Sequence, residues 1–137
     1  MTVEQVKGQG AYVADHAAIS VDGKQAVGLE QKKDSASAAL EDKTTPGAVR
    51  PVDPNREVKD KAVIPVTKDQ ADKIQTFLDK ATKSPPDYNL YHSNCAQFCE
   101  SALRAGGVQN VPNDVLPAHL VQDLKGSQPT DYFFVAP

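Results

Sequence analysis

Both cysteines of the chain lie in the segment YNLYHSNCAQFCESALRAGG, which covers residues 88–107. Cys95, Cys99 and the nearby His92 could bind a metal ion, form a disulfide, fill a core or present a reactive thiol. Structural zinc sites usually combine two close pairs of ligands, whereas this segment offers one cluster inside a helical pattern. Two cysteines four residues apart on a helix project in parallel, which suits a disulfide poorly. We therefore expect neither a metal site nor a disulfide.

Cys95 stands where a polar, turn-like stretch gives way to a helical pattern, so we expect it in the first turn of a helix. Unpaired backbone N–H groups and the positive end of the helix dipole lower the pKa of a thiol there. The same N–H groups, that of Ala96 among them, could bind an acyl oxyanion. Cys99 lies one turn further on, in an apolar stretch, and we assign it to the core. The alternative is that both cysteines are core residues without chemistry.

A nucleophilic thiol needs a base, and the chain has three histidines. His92 is too close to Cys95 in sequence to be aimed easily at its sulfur, and His119 fits the exposed side of a late helix. His16 lies in the strand-like segment ADHAAISV, which is an unusual place for a solvated imidazole. We therefore predict that His16 is the base. The alternative is a structural histidine at a sheet edge.

The dipeptide Asp22-Gly23 is a strong signal for a β-hairpin, which we predict with strands at 11–21 and 24–31. A two-residue turn sets His16 opposite Leu29 and on the same face as Gln31. The Gln31 amide oxygen could then accept a hydrogen bond from the imidazole and complete a triad. Glu30 is the less favoured third residue, because alternation turns it to the other face.

The rest of the chain predicts a small α+β domain in which an antiparallel sheet packs against helices. Residues 32–61 are rich in Ser, Pro, Asp and Lys, and we expect mostly a long polar loop there. Within that segment we predict a helical turn at 35–41 and an extended piece at 47–52, and further strands are predicted at 62–66 and 131–137. Three helices are predicted, one at 68–83 with a Thr67/Gln70 capping box, one from Asn94 to Gly106-Gly107 and one from Pro117 to Gly126. In the last helix Leu120, Val121 and Leu124 are predicted to face inward.

Length and charge limit the classes of function. A chain of 137 residues is expected to form one domain, here 1–137, with a modest core. The net charge of −3 argues against nucleic acid or an anionic membrane as the main partner. No apolar run approaches the roughly 18 residues of a membrane-spanning helix. The first residues lack the layout of a secretory signal peptide, so we expect synthesis in the cytoplasm without one.

Two segments of the sequence, HAAISVDGK…AVGLEQ and YNLYHSNCAQFCESALRAGG, resemble the circularly permuted branch of the papain-like cysteine hydrolases. This group includes relatives of the NlpC-type cell-wall peptidases and the lecithin:retinol acyltransferase-like proteins, and its histidine strand precedes its cysteine helix. The pattern Y-N-L-x-x-x-N-C-A-x-F is also similar to toxin domains attached to Rhs- and type VI-secretion-associated bacterial proteins. The resemblance covers residues 10–31 and 62–125.

The resemblance implies a permuted papain-like fold and gives roles to individual residues. Cys95 matches the nucleophile and His16 the base, while Tyr88 and Asn94 match polar positions that shape the oxyanion site. Gln31 departs from the pattern, because relatives often have His, Asn or Asp as the third polar residue.

The function that the resemblance implies is hydrolysis of an amide by a Cys-His mechanism without a cofactor. We expect peptidoglycan peptides as substrate and a bacterial effector that a secretion machine delivers into a target cell. A cognate immunity protein is then an expected partner, and the 32–61 segment either covers the cleft or contacts that protein. The alternatives are a protein substrate, a thiol phospholipase or acyltransferase acting on lipid, and a non-catalytic binding domain of the same fold.

Overall fold

A computed structural model describes residues 1–8 and 14–127 and has an α+β architecture. In the described residues the strands are β1 (Thr2–Val6), β2 (His16–Ser20), β3 (Val27–Gln31), β4 (Gly47–Pro51) and β5 (Val58–Val63). The helices are α1 (Ala36–Leu40), α2 (Lys68–Lys83), α3 (Cys95–Ala105) and α4 (Pro117–Ser127). The predicted strand at 131–137 and residues 11–13 of the predicted first strand lie outside the described residues.

The five strands form one antiparallel sheet in the order β4-β3-β2-β1-β5. Strand β1, which the sequence analysis did not predict, lies between β2 and β5, with Val3 opposite both Ile19 and Ala62. Its sequence TVEQV carries only two apolar residues, and both are buried by neighbours that are distant in sequence. The local pattern is therefore weak although the strand is internal.

Three helices pack on the sheet and enclose an aliphatic core. Helix α3 contacts β2 and β3, α4 contacts β1 and β5, and α2 contacts α3 and β4. Helix α2 has the predicted bounds, and its Thr67/Gln70 capping box is present. The residues predicted to face inward from α4 are fully buried, namely Leu120, Val121 and Leu124. Helix α3 is thus fixed between the sheet and its neighbouring helices.

The predicted long loop at 32–61 contains more regular structure than expected, because its last residues begin a strand. The segment contains α1, β4 and the first residues of β5, and the predicted helical turn and extended piece are both confirmed. Strands β4 and β5 are the two edges of the sheet. Edge strands commonly carry charged side chains, which here include Arg50 and Lys59, so their composition resembles that of a loop.

The predicted hairpin turn is confirmed, but its register is wrong. Asp22 and Gly23 have φ values of 50° and 74°, as a tight hairpin turn requires, and the Lys24 N–H donates to the Val21 carbonyl at 3.0 Å. Ile19 nevertheless lies opposite Val27, whereas the predicted register places it opposite residue 26. The second strand holds one extra residue, and a shift of one residue reverses the faces of a strand. The face argument that joined His16 to Gln31 therefore fails.

Candidate active site

Helix α3 begins at Cys95, as predicted, and Asn94 is its N-cap. The Asn94 side-chain oxygen accepts a hydrogen bond from the Gln97 N–H at 3.1 Å, and the Gln97 side chain accepts one from the Asn94 N–H at 2.9 Å. This reciprocal capping box satisfies two of the free donors at a helix start. It fixes the point at which the cysteine enters the helix.

The Asn94 side chain also joins the helix start to two neighbouring segments. Its amide nitrogen donates to the carbonyls of Leu90 and Val115, each at 2.8 Å, and the residue is 3% exposed. Both N–H groups of the amide are therefore occupied. Asn94 shapes the site by positioning the chain around Cys95, and its side chain is not available as a donor to an oxyanion.

The Cys95 sulfur lies against the backbone of strand β2. The Ala17 N–H donates to Sγ at 3.3 Å, and the side chain is a free thiol that is only 7% exposed. Burial raises the pKa of the Cys95 thiol, while the N–H groups of Ala17, Ala96 and Cys95 and the charge of Arg56 oppose this rise. The predicted lowering of the thiol pKa is wrong, because desolvation exceeds the effect of the helix start.

His16 is the first residue of β2 and lies on the rim of the same cleft as Cys95. Its ring lies over Gly28, where an added Cβ would overlap the Nε2 atom and lie 2.7 Å from the Ala17 carbonyl oxygen. Burial, and then the charge of Arg56, lowers the pKa of His16 from 6.5 to about 4. The imidazole is therefore neutral at neutral pH and has one unprotonated ring nitrogen, and burial makes it a weaker base than a solvated imidazole.

The two candidates for the third residue have other partners. The Gln31 amide donates to the Ser35 carbonyl at 3.1 Å and accepts from the Ser35 N–H at 2.9 Å, so the predicted bond to His16 is not formed. Gln31 instead holds the N-cap of α1. Glu30 forms an ion pair with Arg50 at 2.6 Å. In the described part of the chain, neither ring nitrogen of His16 makes a hydrogen bond.

The remaining histidines and the second cysteine lie where the sequence analysis expected them. The His92 side chain is 71% exposed and lies 3.5 Å from the Asp42 carboxylate. His119 is exposed on α4, and Cys99 is fully buried as a free thiol. Among residues 1–8 and 14–127, no cluster of His, Cys, Asp and Glu could hold a metal ion.

Tyr88 and Ala96 complete the set of predicted site residues. Tyr88 is 5% exposed, lines the cleft and exchanges two backbone hydrogen bonds with Thr45, at 2.7 and 2.9 Å. Ala96 is fully buried in the first turn of α3, where its N–H faces the sulfur. Tyr88 thereby joins the segment before the helix to the region before β4.

A cleft of about 630 Å³ opens above Cys95 and His16. Its lining combines apolar side chains with charged side chains of both signs. The apolar lining residues include Leu90, Tyr91, Val115 and Leu116, and the charged ones are Asp15, Glu30, Lys32, Asp34, Arg50 and Arg56. Sequence reasoning missed the two arginines, because they belong to the segment that it interpreted as a loop. It also missed Gly28, whose role depends on a ring that approaches from another strand.

No protein-family model, curated protein or solved structure matches this chain. None of the helices in the described ranges has the length and apolar character that a bilayer crossing requires.

Proposed function

We propose that the protein is a cysteine hydrolase with a permuted papain-like fold, in which Cys95 is the nucleophile and His16 the base. The observation that carries this proposal is the 3.3 Å hydrogen bond from the Ala17 N–H to the Cys95 sulfur. This bond joins the strand of His16 to the start of α3, and both side chains line one cleft. A thiol and an imidazole at such a junction are the groups that acyl transfer requires.

The mechanism starts from a neutral thiol and a neutral imidazole, because the pKa of Cys95 is raised and that of His16 is about 4. His16 takes the thiol proton as the sulfur attacks the carbonyl carbon. The backbone N–H groups of the first turn of α3 stabilise the oxyanion. His16 then returns the proton to the leaving amine, and the carbon–nitrogen bond breaks. Water, activated by His16, hydrolyses the thioester and frees Cys95.

The proposed substrate is the peptide part of peptidoglycan, with the protein acting as an effector toxin that a secretion machine delivers. The charged residues that line the cleft support a peptide with ionised groups, because they include both carboxylates and guanidinium groups. The likeness of the Asn94-Cys95 segment to secreted toxin domains supports the delivery and a cognate immunity protein as partner.

Purified sacculi provide the direct test of this function. We expect the wild-type protein and Cys99→Ala to release the same muropeptides, whereas Cys95→Ala releases none. Cys99 is the matched control, because it is a free and buried cysteine on the same helix. Release that survives in Cys95→Ala would contradict the proposed nucleophile.

The apolar lining of the cleft supports a second candidate, a thiol phospholipase or acyltransferase. Tyr91, Val115 and Leu116 line the cleft and are 42%, 40% and 52% exposed. The Tyr91 hydroxyl donates at 3.3 Å to the carbonyl of Leu40, which is 65% exposed. Exposed apolar side chains beside a nucleophile could hold an acyl chain. Release of fatty acid from phosphatidylcholine vesicles that depends on Cys95, without release from sacculi, would favour this candidate. A thiol inert in both assays would favour a binding domain.

A further inference from the structure

Most of the acidic side chains that face the cleft already have a cation. Glu30 pairs with Arg50 at 2.6 Å, and Asp15 pairs with Lys59 at 3.1 Å. Asp15 also accepts from the Gln5 amide at 2.7 Å. These carboxylates are therefore neutralised within the protein.

Arg56 differs from the other arginine of the cleft, because it has no carboxylate partner among the described residues. Its Nε atom donates to the Lys7 carbonyl at 3.1 Å, and Nη2 donates to the same oxygen. A guanidinium has five N–H donors, so this anchor leaves donors free on its other edge. The anchor holds a charged side chain in place before any ligand binds, which reduces the cost of binding.

Arg56 lines the same cleft as the two proposed reacting groups, Cys95 and His16. Its charge opposes the rise in the pKa of Cys95 and adds to the lowering of the pKa of His16. A positive charge there acts on whatever occupies the space next to the sulfur. An anionic group of a substrate in the cleft would be attracted by this fixed charge.

We propose that Arg56 is a specificity residue that binds a carboxylate of a peptide substrate next to the scissile amide. The inference rests on the proposed function and adds the class of peptide, namely one with a free carboxylate beside the cleaved bond. Guanidinium groups bind carboxylates through paired N–H donors and retain their charge. A singly charged carboxylate matches the single charge of Arg56, whereas a phosphate would bring up to two negative charges.

Alkylation of Cys95 tests the inference without knowledge of the natural substrate. Iodoacetate and iodoacetamide are close in size, and only iodoacetate carries a carboxylate. In both reactions the sulfur–carbon bond forms, the carbon–iodine bond breaks, iodide leaves and the thiol proton passes to His16. The measurement is the ratio of the two rate constants at Cys95, determined by peptide mass spectrometry relative to free cysteine.

We expect the wild-type ratio to favour iodoacetate, and Arg56→Gln to lower the ratio about tenfold, as for one lost charge-assisted hydrogen bond. Lys32→Gln is the matched control, because it removes a cation from the rim of the same cleft, where the side chain is exposed. We expect it to change the ratio less than about twofold, as a solvated charge is screened. Equal ratios in wild type and Arg56→Gln would overturn the inference and leave the proposed hydrolase intact.

A second measurement uses only the wild-type protein, so it does not depend on the folding of a variant. We expect acetate to slow the reaction of Cys95 with iodoacetamide more than the same concentration of inorganic phosphate. Stronger protection by phosphate would overturn the inference in favour of a phosphorylated ligand. Failure of both alkylating reagents to label Cys95 in the folded protein would overturn the proposed function and the inference together.

Discussion

Helices α2 and α3 begin with the same local structure and have different surroundings. Each has a capping box, formed by Thr67 with Gln70 in α2 and by Asn94 with Gln97 in α3. Thr67 is exposed, and the first turn of α2 contains an acidic residue that suits the helix dipole. Asn94 is buried, and the first turn of α3 contains no acidic residue.

The difference shows that a helix start becomes a candidate site only when tertiary structure covers it. The first residue of α2, Lys68, pairs with Asp72 on the surface at 3.0 Å. The sulfur of Cys95, the first residue of α3, accepts a hydrogen bond from the backbone of strand β2. The capping motif fixes where each helix begins, and the packing of α3 on β2 and β3 supplies the cleft.

Replacement of the first residue of each helix gives the largest expected contrast. We expect Cys95→Ala to lower hydrolysis at least about 10³-fold, because the variant has no nucleophile. Lys68→Ala should leave the rate unchanged, because its exposed ion pair contributes little. Rates of product release on the same substrate preparation check both variants. Similar rates for wild type and Cys95→Ala would remove the distinction between the two helix starts.

Loss of the two N-caps is expected to affect stability unequally. Asn94→Ala removes a cap and the donors to two carbonyls, which should cost about 3 kcal/mol of the free energy of unfolding. Thr67→Ala removes an exposed cap and should cost about 1 kcal/mol. Urea unfolding of both variants measures the two values. Equal losses would show that burial of the α3 cap does not add to its contribution.

The position of the His16 ring is tested by an added methyl group. Gly28→Ala would place a Cβ in the space of the ring and near the Ala17 carbonyl, so we expect kcat/KM to fall about 10²-fold. Gly126→Ala is the control, because nothing lies within 4 Å of its added Cβ. An unchanged kcat/KM in a folded Gly28→Ala variant would show that the ring position is not needed.

An effect of pH on stability is expected from the second turn of α3, where Glu100 is buried. Burial raises the pKa of Glu100 from 4.5 to about 7. The folded state therefore holds a proton that the unfolded state releases above pH 4.5, so wild-type stability falls as the pH rises from 4.5 to 7. His16 acts in the opposite direction, since its pKa is about 4 instead of 6.5, and its stabilising effect decreases as the pH falls through that range.

Glu100→Gln isolates the contribution of this carboxyl group, because the His16 effect is common to both proteins. We expect the variant to gain stability relative to wild type between pH 4.5 and 7 and the difference to be constant above pH 7. Thermal unfolding across this range measures the difference. A difference that does not change with pH would contradict the raised pKa.

The predictable part of the fold consists of elements with strong local signals. The bounds of α2 follow from its cap and its apolar period, and the start of α3 follows from Asn94-Cys95. Strand β1 was missed because its burial depends on β2 and β5, which are distant in sequence. The hairpin register depends on one extra residue after a correctly predicted turn.

The sequence predicted which residues form the candidate site, but it did not predict their burial or their hydrogen-bond partners. The placement of Cys95 follows from local sequence, whereas the raised pKa of its thiol follows from burial under tertiary structure. The partners of Gln31 could not be derived, because they depend on how the chain turns after β3. Arg56 has no local motif and reaches the cleft only through the pairing of β5 with β1.

Acylation of the thiol by an activated ester tests the central claim most directly. The protein is mixed with p-nitrophenyl acetate at pH 7, and the mass and position of the adduct are followed for wild type, Cys95→Ala and His16→Gln. We predict one acetyl group on Cys95 in wild type, slower formation and slower hydrolysis of that adduct in His16→Gln, and no adduct at Cys99 in any protein. Acetylation at the same rate in wild type and His16→Gln, or the absence of an adduct on Cys95, would contradict the account.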